Sequence, residues 1–199
     1  MKKLSKVIIG ILGMVLVAFI GTKANAEELM NDTEYRMILE SINKEYGTEI
    51  GYYPVDIEKI SLTEYEEIAR ELAISQSELE KMIATRQIYD YKDDRTSNIA
   101  ALTSTTKTVN QDVWHYENTA YITATYTVNG NVISSPSGIS VHIKPAAAIL
   151  GVSYTPNIGY PTTAITDGGR TLTVTYYGTY VSGATFTNIK FYTEFYYNS

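Results

Sequence analysis

The chain has 199 residues, of which 18 are tyrosine and none is cysteine, and its formal net charge is −6. Without cysteine it has no disulfide framework and no lipid-modified cysteine. A packed core must hold it together, which suits a bacterial envelope better than a disulfide-rich secretion. Because the chain is acidic, it provides no stripe of basic residues that could neutralise phosphates. We therefore expect no nucleic-acid partner.

The first 26 residues have the pattern of an export signal. Three lysines precede an apolar run over 7–20, and Ala24-Asn25-Ala26 fits the small-x-small cleavage rule before Glu27. The run is shorter than the ~20 apolar residues that a spanning helix needs. We therefore expect residues 1–26 to be a signal peptide and the protein to be secreted, with no stable membrane anchor after cleavage.

Charge divides the remainder into two parts. Residues 27–95 contain 18 Asp and Glu against 8 Lys and Arg, whereas residues 96–199 contain four of each class. This asymmetry predicts an acidic helical segment over 27–95, ending in a polar linker, and a β-sandwich domain over 96–199.

Capping patterns predict three short helices in the acidic segment. The first begins at Asn31-Asp32-Thr33-Glu34 and ends at Gly47, and the others begin at Ser61 and Ser75, each three residues before a glutamate. Their apolar faces are narrow, so we expect them to pack on one another, on the sheet or on a partner. The first stripe comprises Tyr35, Ile38, Leu39, Ile42 and Tyr46.

Residues 63–82 resemble the helix-turn-helix of transcription regulators. They contain an alanine on the first helix, a turn with Ile74-Ser75, and then a second helix. Ala73 stands where regulators often have glycine, and the second helix would direct the acidic Glu78 and Glu80 toward phosphates. Packed amphipathic helices are the favoured interpretation.

Alternating apolar and hydroxyl residues predict eight strands, at 102–109, 119–128, 132–135, 139–144, 148–155, 162–166, 171–181 and 186–197. Asn129-Gly130 predicts a tight hairpin, and the phase of Phe186 relative to Ile189 predicts a bulge near Asn188. The predicted fold class is α+β: short amphipathic helices followed by an antiparallel all-β sandwich, immunoglobulin-like in general shape.

Catalytic and metal-binding patterns are sparse. The two histidines are His115 and His142, and no serine lies in a Gly-x-Ser-x-Gly elbow. The sandwich contains four carboxylates, Asp112, Glu117, Asp167 and Glu194, and Asp90, Asp93 and Asp94 lack the alternation of a calcium loop. We expect no enzyme activity, no cofactor and no metal.

Aromatic residues favour a binding function. Tyr121, Tyr177, Tyr192 and Tyr196 occupy outward strand positions by phase, and a Tyr/Thr face offers flat rings with hydroxyl donors and acceptors. The predicted binding residues are Trp114, Tyr116, Tyr121, Tyr177, Tyr192 and Tyr196. The expected partner is an extracellular or cell-envelope carbohydrate or protein, although tyrosine and threonine are also common in strands of any function.

Two other classes stay open. Threonine-rich alternating strands suit a secreted effector, either a bacteriocin or a membrane-inserting toxin. A hydrolase would require two carboxylates or a histidine converging in one cleft.

Overall fold

The computed structural model describes residues 32–54, 60–90 and 104–199. The predicted signal peptide lies outside these ranges, and so do residues 91–95 of the linker predicted over 89–95, whose first two residues belong to a helix. The elements are α1 (Asp32–Tyr46), β1 (Gly51–Tyr52), α2 (Leu62–Asp90), β2 (Ser104–Asp112), β3 (Ala120–Asn129), β4 (Val132–Ile143), α3 (Pro145–Ile149), β5 (Ser153–Pro156), β6 (Thr162–Thr166), a 3-10 turn (Asp167–Gly169), β7 (Thr171–Ser182) and β8 (Ala184–Tyr196). No helix in these ranges is both long and apolar enough to cross a membrane.

The first helix confirms its prediction. α1 buries Tyr35, Leu39 and Ile42, and the chain leaves it at Gly47, whose φ of 69° lies in the left-handed region that glycine adopts without a Cβ penalty. The Tyr35 hydroxyl donates to the Ile60 carbonyl (2.8 Å), which ties α1 to the segment just before α2.

The predicted second and third helices are one helix of 29 residues, α2. Its start is the capping box expected at Ser61, where the Ser61 amide donates to Glu64 Oε2 (3.0 Å) and the Glu64 amide donates to Ser61 Oγ (3.3 Å). The turn expected at Ser75 is absent, so the resemblance to a helix-turn-helix is wrong. No glycine or proline stands between residues 62 and 90, and a capping pattern without a breaker also fits a helix interior.

The strands form two antiparallel sheets. The first sheet has the order β1-β8-β7-β5, with β6 also paired to β7, and the second sheet has the order β2-β3-β4. The hairpin at Asn129-Gly130 and the bulge near Asn188 are both confirmed: Asn129 pairs with Val132, and Asn188 has a φ of 60°.

Two predicted strand boundaries are wrong. Residues 132–135 and 139–144 belong to a single strand, β4, which two bulges interrupt without ending it. Residues 148–155 divide between α3 and β5, since Pro145 at the first helical turn starts a short helix that the alternation did not indicate.

One core joins α1, α2 and both sheets, which gives an α+β protein with a β-sandwich-like arrangement. The Tyr65 ring of α2 stacks on Phe186 of β8 (5.2 Å between centroids). In the first sheet, Tyr154 stacks on Phe191 (3.9 Å), and Gly178 is required because a Cβ there would lie 2.7 Å from the Tyr154 ring. The helices therefore pack on the sandwich.

Helix α2 also closes the free edge of the first sheet. β1 pairs with β8 only at Phe186 and Thr187. Farther along, Gln76 Nε2 donates to the Lys190 carbonyl (3.0 Å) and Gln76 Oε1 accepts from the Lys190 amide (2.9 Å). The amide side chain thus satisfies both backbone groups as a neighbouring strand would, and it protects an edge that would otherwise be open to pairing.

Candidate functional site

The six tyrosine and tryptophan residues predicted to bind a ligand do not share one surface. Tyr116, Trp114, Tyr192 and Tyr196 lie between α2 and β8, Tyr177 lies farther along the first sheet, and Tyr121 lies on the second sheet.

Tyr116 and Tyr192, two of the predicted binding residues, are buried, so neither presents an exposed ring to a ligand. Each is 6% exposed. Tyr116 packs on Phe191 (4.8 Å) and its hydroxyl accepts from Gln76 Nε2 (3.1 Å), and burial raises its pKa above the usual value. Strand phase placed Tyr192 outward correctly, but it could not indicate that Trp114 and α2 would cover that side of β8.

The cover over β8 has a charged centre. Glu194 is 2% exposed and accepts from the hydroxyls of Tyr192 (2.9 Å) and Tyr196 (2.6 Å), and Arg86 of α2 forms an ion pair with it. The guanidinium of Arg86 also lies over the Trp114 ring (5.3 Å from the centroid). We call Trp114, Tyr192, Glu194 and Tyr196 the aromatic cage.

Tyr177 lies beside the cage on the same side of the first sheet. Its ring is tilted against Tyr160 (5.4 Å), and the ammonium of Lys190 lies over it (5.2 Å). Lys190 in turn forms an ion pair with Glu80 of α2. Tyr177 is therefore half-buried, and it is linked to α2 through Lys190 and Glu80.

The second sheet presents a different outer side, which consists of polar side chains in register across three strands. Residue pairing places them in four rows of three, and we call the set the hydroxyl face: Asp112, Tyr121 and His142; Asn110, Thr123 and Ser140; Thr108, Thr125 and Ser137; Thr106, Thr127 and Ser134. Thr106, Thr108, Asn110, Ser137 and His142 are exposed and the others half-buried. Strand geometry spaces the rows about 6.7 Å apart along the strands and the columns about 4.8 Å apart.

Two bulges in β4 keep the third column in register. Ser134, Ser137 and Ser140 recur every three residues instead of every two, and the extra residues are taken up where Ser135 (φ 52°) and Gly138 (φ 56°) adopt left-handed conformations. Each bulge adds one residue to one strand. All three serines consequently stay on the outer side.

Hydrogen bonds join the first two columns of the hydroxyl face. The hydroxyls of Thr106 and Thr127 (3.1 Å) and of Thr108 and Thr125 (2.8 Å) bond across the strands, and Thr123 donates to Asn110 Oδ1 (2.7 Å). A hydroxyl has one donor and two acceptor positions. A bonded pair therefore keeps one donor and three acceptors for a ligand or water.

Tyr121 gives the hydroxyl face its aromatic end. Its ring stacks on the His142 imidazole (4.9 Å, 19° between planes), and a His142 ring nitrogen bonds the Ser140 hydroxyl (2.8 Å). Asp112, in the same row, is paired with Lys144 (2.7 Å). The sheet thus ends in a flat aromatic platform bordered by an ion pair.

The sequence did not indicate which residues contact the outer side of either sheet. Arg86 and Gln76 were not predicted to contact β8, because their positions relative to it depend on α2 being one unbroken helix. The column formed by Thr106, Thr108 and Asn110 can be predicted from the sequence, because alternation within 104–110 assigns all three residues to one side of the strand. The serine column does not, because its period of three depends on the bulges.

The four sandwich carboxylates have separate surroundings. Asp112 pairs with Lys144, Glu117 accepts from the His115 amide (3.0 Å), and Glu194 lies in the aromatic cage. Asp167 belongs to the 3-10 turn. Within the described ranges, no group of three His, Asp or Glu side chains could hold a metal ion.

No family model, curated protein or solved structure matches this chain.

Proposed function

We propose that this protein is a secreted, non-enzymatic binding protein of the bacterial envelope or extracellular space, and that its hydroxyl face recognises carbohydrate. The observation that supports it is the four-row register of hydroxyl, amide and aromatic side chains on the second sheet. We include in the proposal an immunoglobulin-like general shape, for which two facing antiparallel sheets are the support.

The chemistry of the face suits a sugar. Sugar rings carry hydroxyls that both donate and accept, and the bonded threonine pairs keep both capacities. Sugars also have apolar C–H faces, which pack on flat rings such as that of Tyr121. An uncharged ligand fits best, because the charges at the border of the face, Asp112 and Lys144, already pair with each other.

Binding of residues 27–199 to purified cell walls and to a glycan array tests the proposal. We expect wild-type protein to bind, and Tyr121→Ala to weaken binding about tenfold, because truncating an aromatic contact in an interface commonly costs more than about 1 kcal/mol. Thr108→Val with Thr125→Val removes two hydroxyls while keeping the side-chain shape, and should weaken binding as well.

Matched control variants lie on the other sheet. Thr175 and Thr179 are half-buried threonines at the corresponding outward positions of β7, and changing both to valine should leave glycan binding unchanged. Equal binding by the wild type and the second-sheet variants would remove the hydroxyl face from the proposal. If the protein binds no glycan but retains a protein from the envelope fraction, the carbohydrate proposal is wrong.

A further inference from the structure

The aromatic cage surrounds a cation that comes from a different part of the chain. Glu194, Tyr192 and Tyr196 belong to β8, and Trp114 follows β2, whereas the guanidinium belongs to Arg86 of α2. It lies over the rings of Trp114 (5.3 Å) and Tyr196 (5.8 Å), and its Nη1 donates to the Tyr196 hydroxyl (2.9 Å). Aromatic faces and a carboxylate both attract cations.

The charge balance shows that the cage needs a cation. The Glu194 side chain is 3% exposed, and its two tyrosine partners supply hydrogen bonds but no charge. A buried carboxylate without a counter-charge is strongly unfavourable. The cage is therefore incomplete without a positive group.

The Arg86 side chain is partly exposed, and the helix that carries it is attached to β8 by other residues. The Arg86 side chain is 45% exposed, so the cage does not enclose it completely. Helix α2 is held to β8 independently by the two hydrogen bonds between Gln76 and the Lys190 backbone and by the stacking of Tyr65 on Phe186. The Arg86 side chain can thus swing out while the helix stays in place.

We propose that the aromatic cage is a binding site for a guanidinium group, and that Arg86 occupies it as an intramolecular competitor of an arginine side chain from outside. A planar guanidinium bonds a carboxylate and stacks on rings at the same time, which an ammonium does less well. The net negative charge of α2 raises the local concentration of cations around the site. This site is separate from the hydroxyl face.

Trp114 reports directly on the cage because it is the one tryptophan in the chain. The full chain carrying Arg86→Ala is titrated with ethylguanidinium, with L-arginine amide and with the peptide Gly-Arg-Gly, and Trp114 fluorescence is followed. N-ethylurea, a neutral molecule of similar shape, and sodium chloride at equal ionic strength are the controls. We expect a saturable response to the guanidinium compounds only.

Wild-type protein should give the same response at higher concentration, since Arg86 must first leave the cage and the apparent affinity falls by the fraction of empty sites. A shift of about tenfold to a hundredfold is expected. The response should disappear in a chain that carries both Arg86→Ala and Glu194→Gln. Binding of L-arginine amide without Gly-Arg-Gly would assign the site to free arginine, and binding of both would assign it to a peptide.

An absence of saturable response in folded Arg86→Ala protein would overturn the proposal, and so would an equal response when Glu194→Gln is added. If Arg86→Ala protein is unfolded by circular dichroism, ethylguanidinium should restore the fold where N-ethylurea does not, and failure of this rescue counts against the site. A wild type that does not respond at about a hundred times the variant's Kd would show that the cage is closed to outside ligands.

Discussion

The outer sides of the two sheets are built from similar residues but lie in opposite environments. Both carry tyrosine and threonine at alternating positions of their strands. In the first sheet, Tyr192 and Glu194 of β8 are buried beneath α2 and Trp114, whereas in the second sheet Thr108 and Ser137 are exposed. The covered side joins helix α2 to the sheet around a charged centre, whereas the side chains of the hydroxyl face are exposed or half-buried. Strand composition alone therefore does not locate a binding surface, because what packs on the strand decides it.

Alkaline pH should have the largest effect, since it acts on the core that supports both sides. Burial raises the pKa of Tyr180 to about 12, and burial also raises the pKa values of Tyr65, Tyr116 and Tyr154. Unfolded tyrosines ionise near pH 10. Above pH 10 the unfolded state loses protons that the folded state keeps, so the free energy of unfolding falls as pH rises.

Tyrosinate absorbance and near-ultraviolet circular dichroism, recorded together against pH, check this expectation. The buried tyrosines should ionise only as the tertiary signal is lost. Ionisation of all 18 tyrosines near pH 10 with an intact tertiary signal would contradict the tightly packed core.

Arg86→Ala should have the largest effect of the single substitutions. It leaves the Glu194 carboxylate buried without a counter-charge, and we expect the free energy of unfolding to fall by about 2 to 3 kcal/mol, below the full cost of a broken buried pair because Arg86 is 45% exposed. Urea denaturation measures the change.

On the hydroxyl face, Thr108→Val should lower the free energy of unfolding by less than about 1 kcal/mol. Equal losses for Arg86→Ala and Thr108→Val would contradict the difference in burial between the two outer sides.

Gln76→Leu tests whether one side chain seals the β8 edge. The substitution keeps an apolar body of similar size but leaves the Lys190 amide and carbonyl and the Tyr116 hydroxyl without Gln76. We expect a loss of about 2 kcal/mol and faster hydrogen exchange at the Lys190 amide. Glu67→Gln, at an exposed position of the same helix, is the control and should change neither quantity.

Gly138→Ala tests the bulge that keeps the serine column in register. Gly138 has a φ of 56°, and a Cβ there would lie 3.4 Å from Thr125 Oγ1. We expect a loss of about 1 kcal/mol together with weaker glycan binding. Gly151→Ala is the control, because it also places alanine at a positive φ (81°) but has no atom within 4 Å of the added Cβ. It should cost similar stability and leave binding unchanged, whereas lost binding in both variants would point to general destabilisation.

Local signals in the sequence predicted those features that depend on a few neighbouring residues. The capping box at Ser61, the end of α1 at Gly47, the Asn129-Gly130 hairpin and the bulge near Asn188 all appear as expected. In each case the backbone conformation or a contact within three residues is specified by side-chain chemistry. That the two long helices, α1 and α2, precede the long strands follows from the same local periodicities.

Other features depended on contacts between distant residues. The pairing of Gln76 with Lys190 and the burial of Glu194 by Arg86 join residues more than 100 positions apart. For the candidate site, alternation assigned Tyr121 and the threonines of β3 to one side. It could not show that this side would be exposed while that of β8 was covered.

The sequence by itself therefore determined most of the elements, their apolar sides and the tyrosine- and threonine-rich character of both sheets, because these properties are set by residues adjacent along the chain. Tertiary structure alone decided which sheet is covered, where the buried carboxylate meets its cation and how the bulges keep the serine column in register. The physical reason is that burial and ion pairing arise from packing between elements far apart in the chain, which periodicity does not encode.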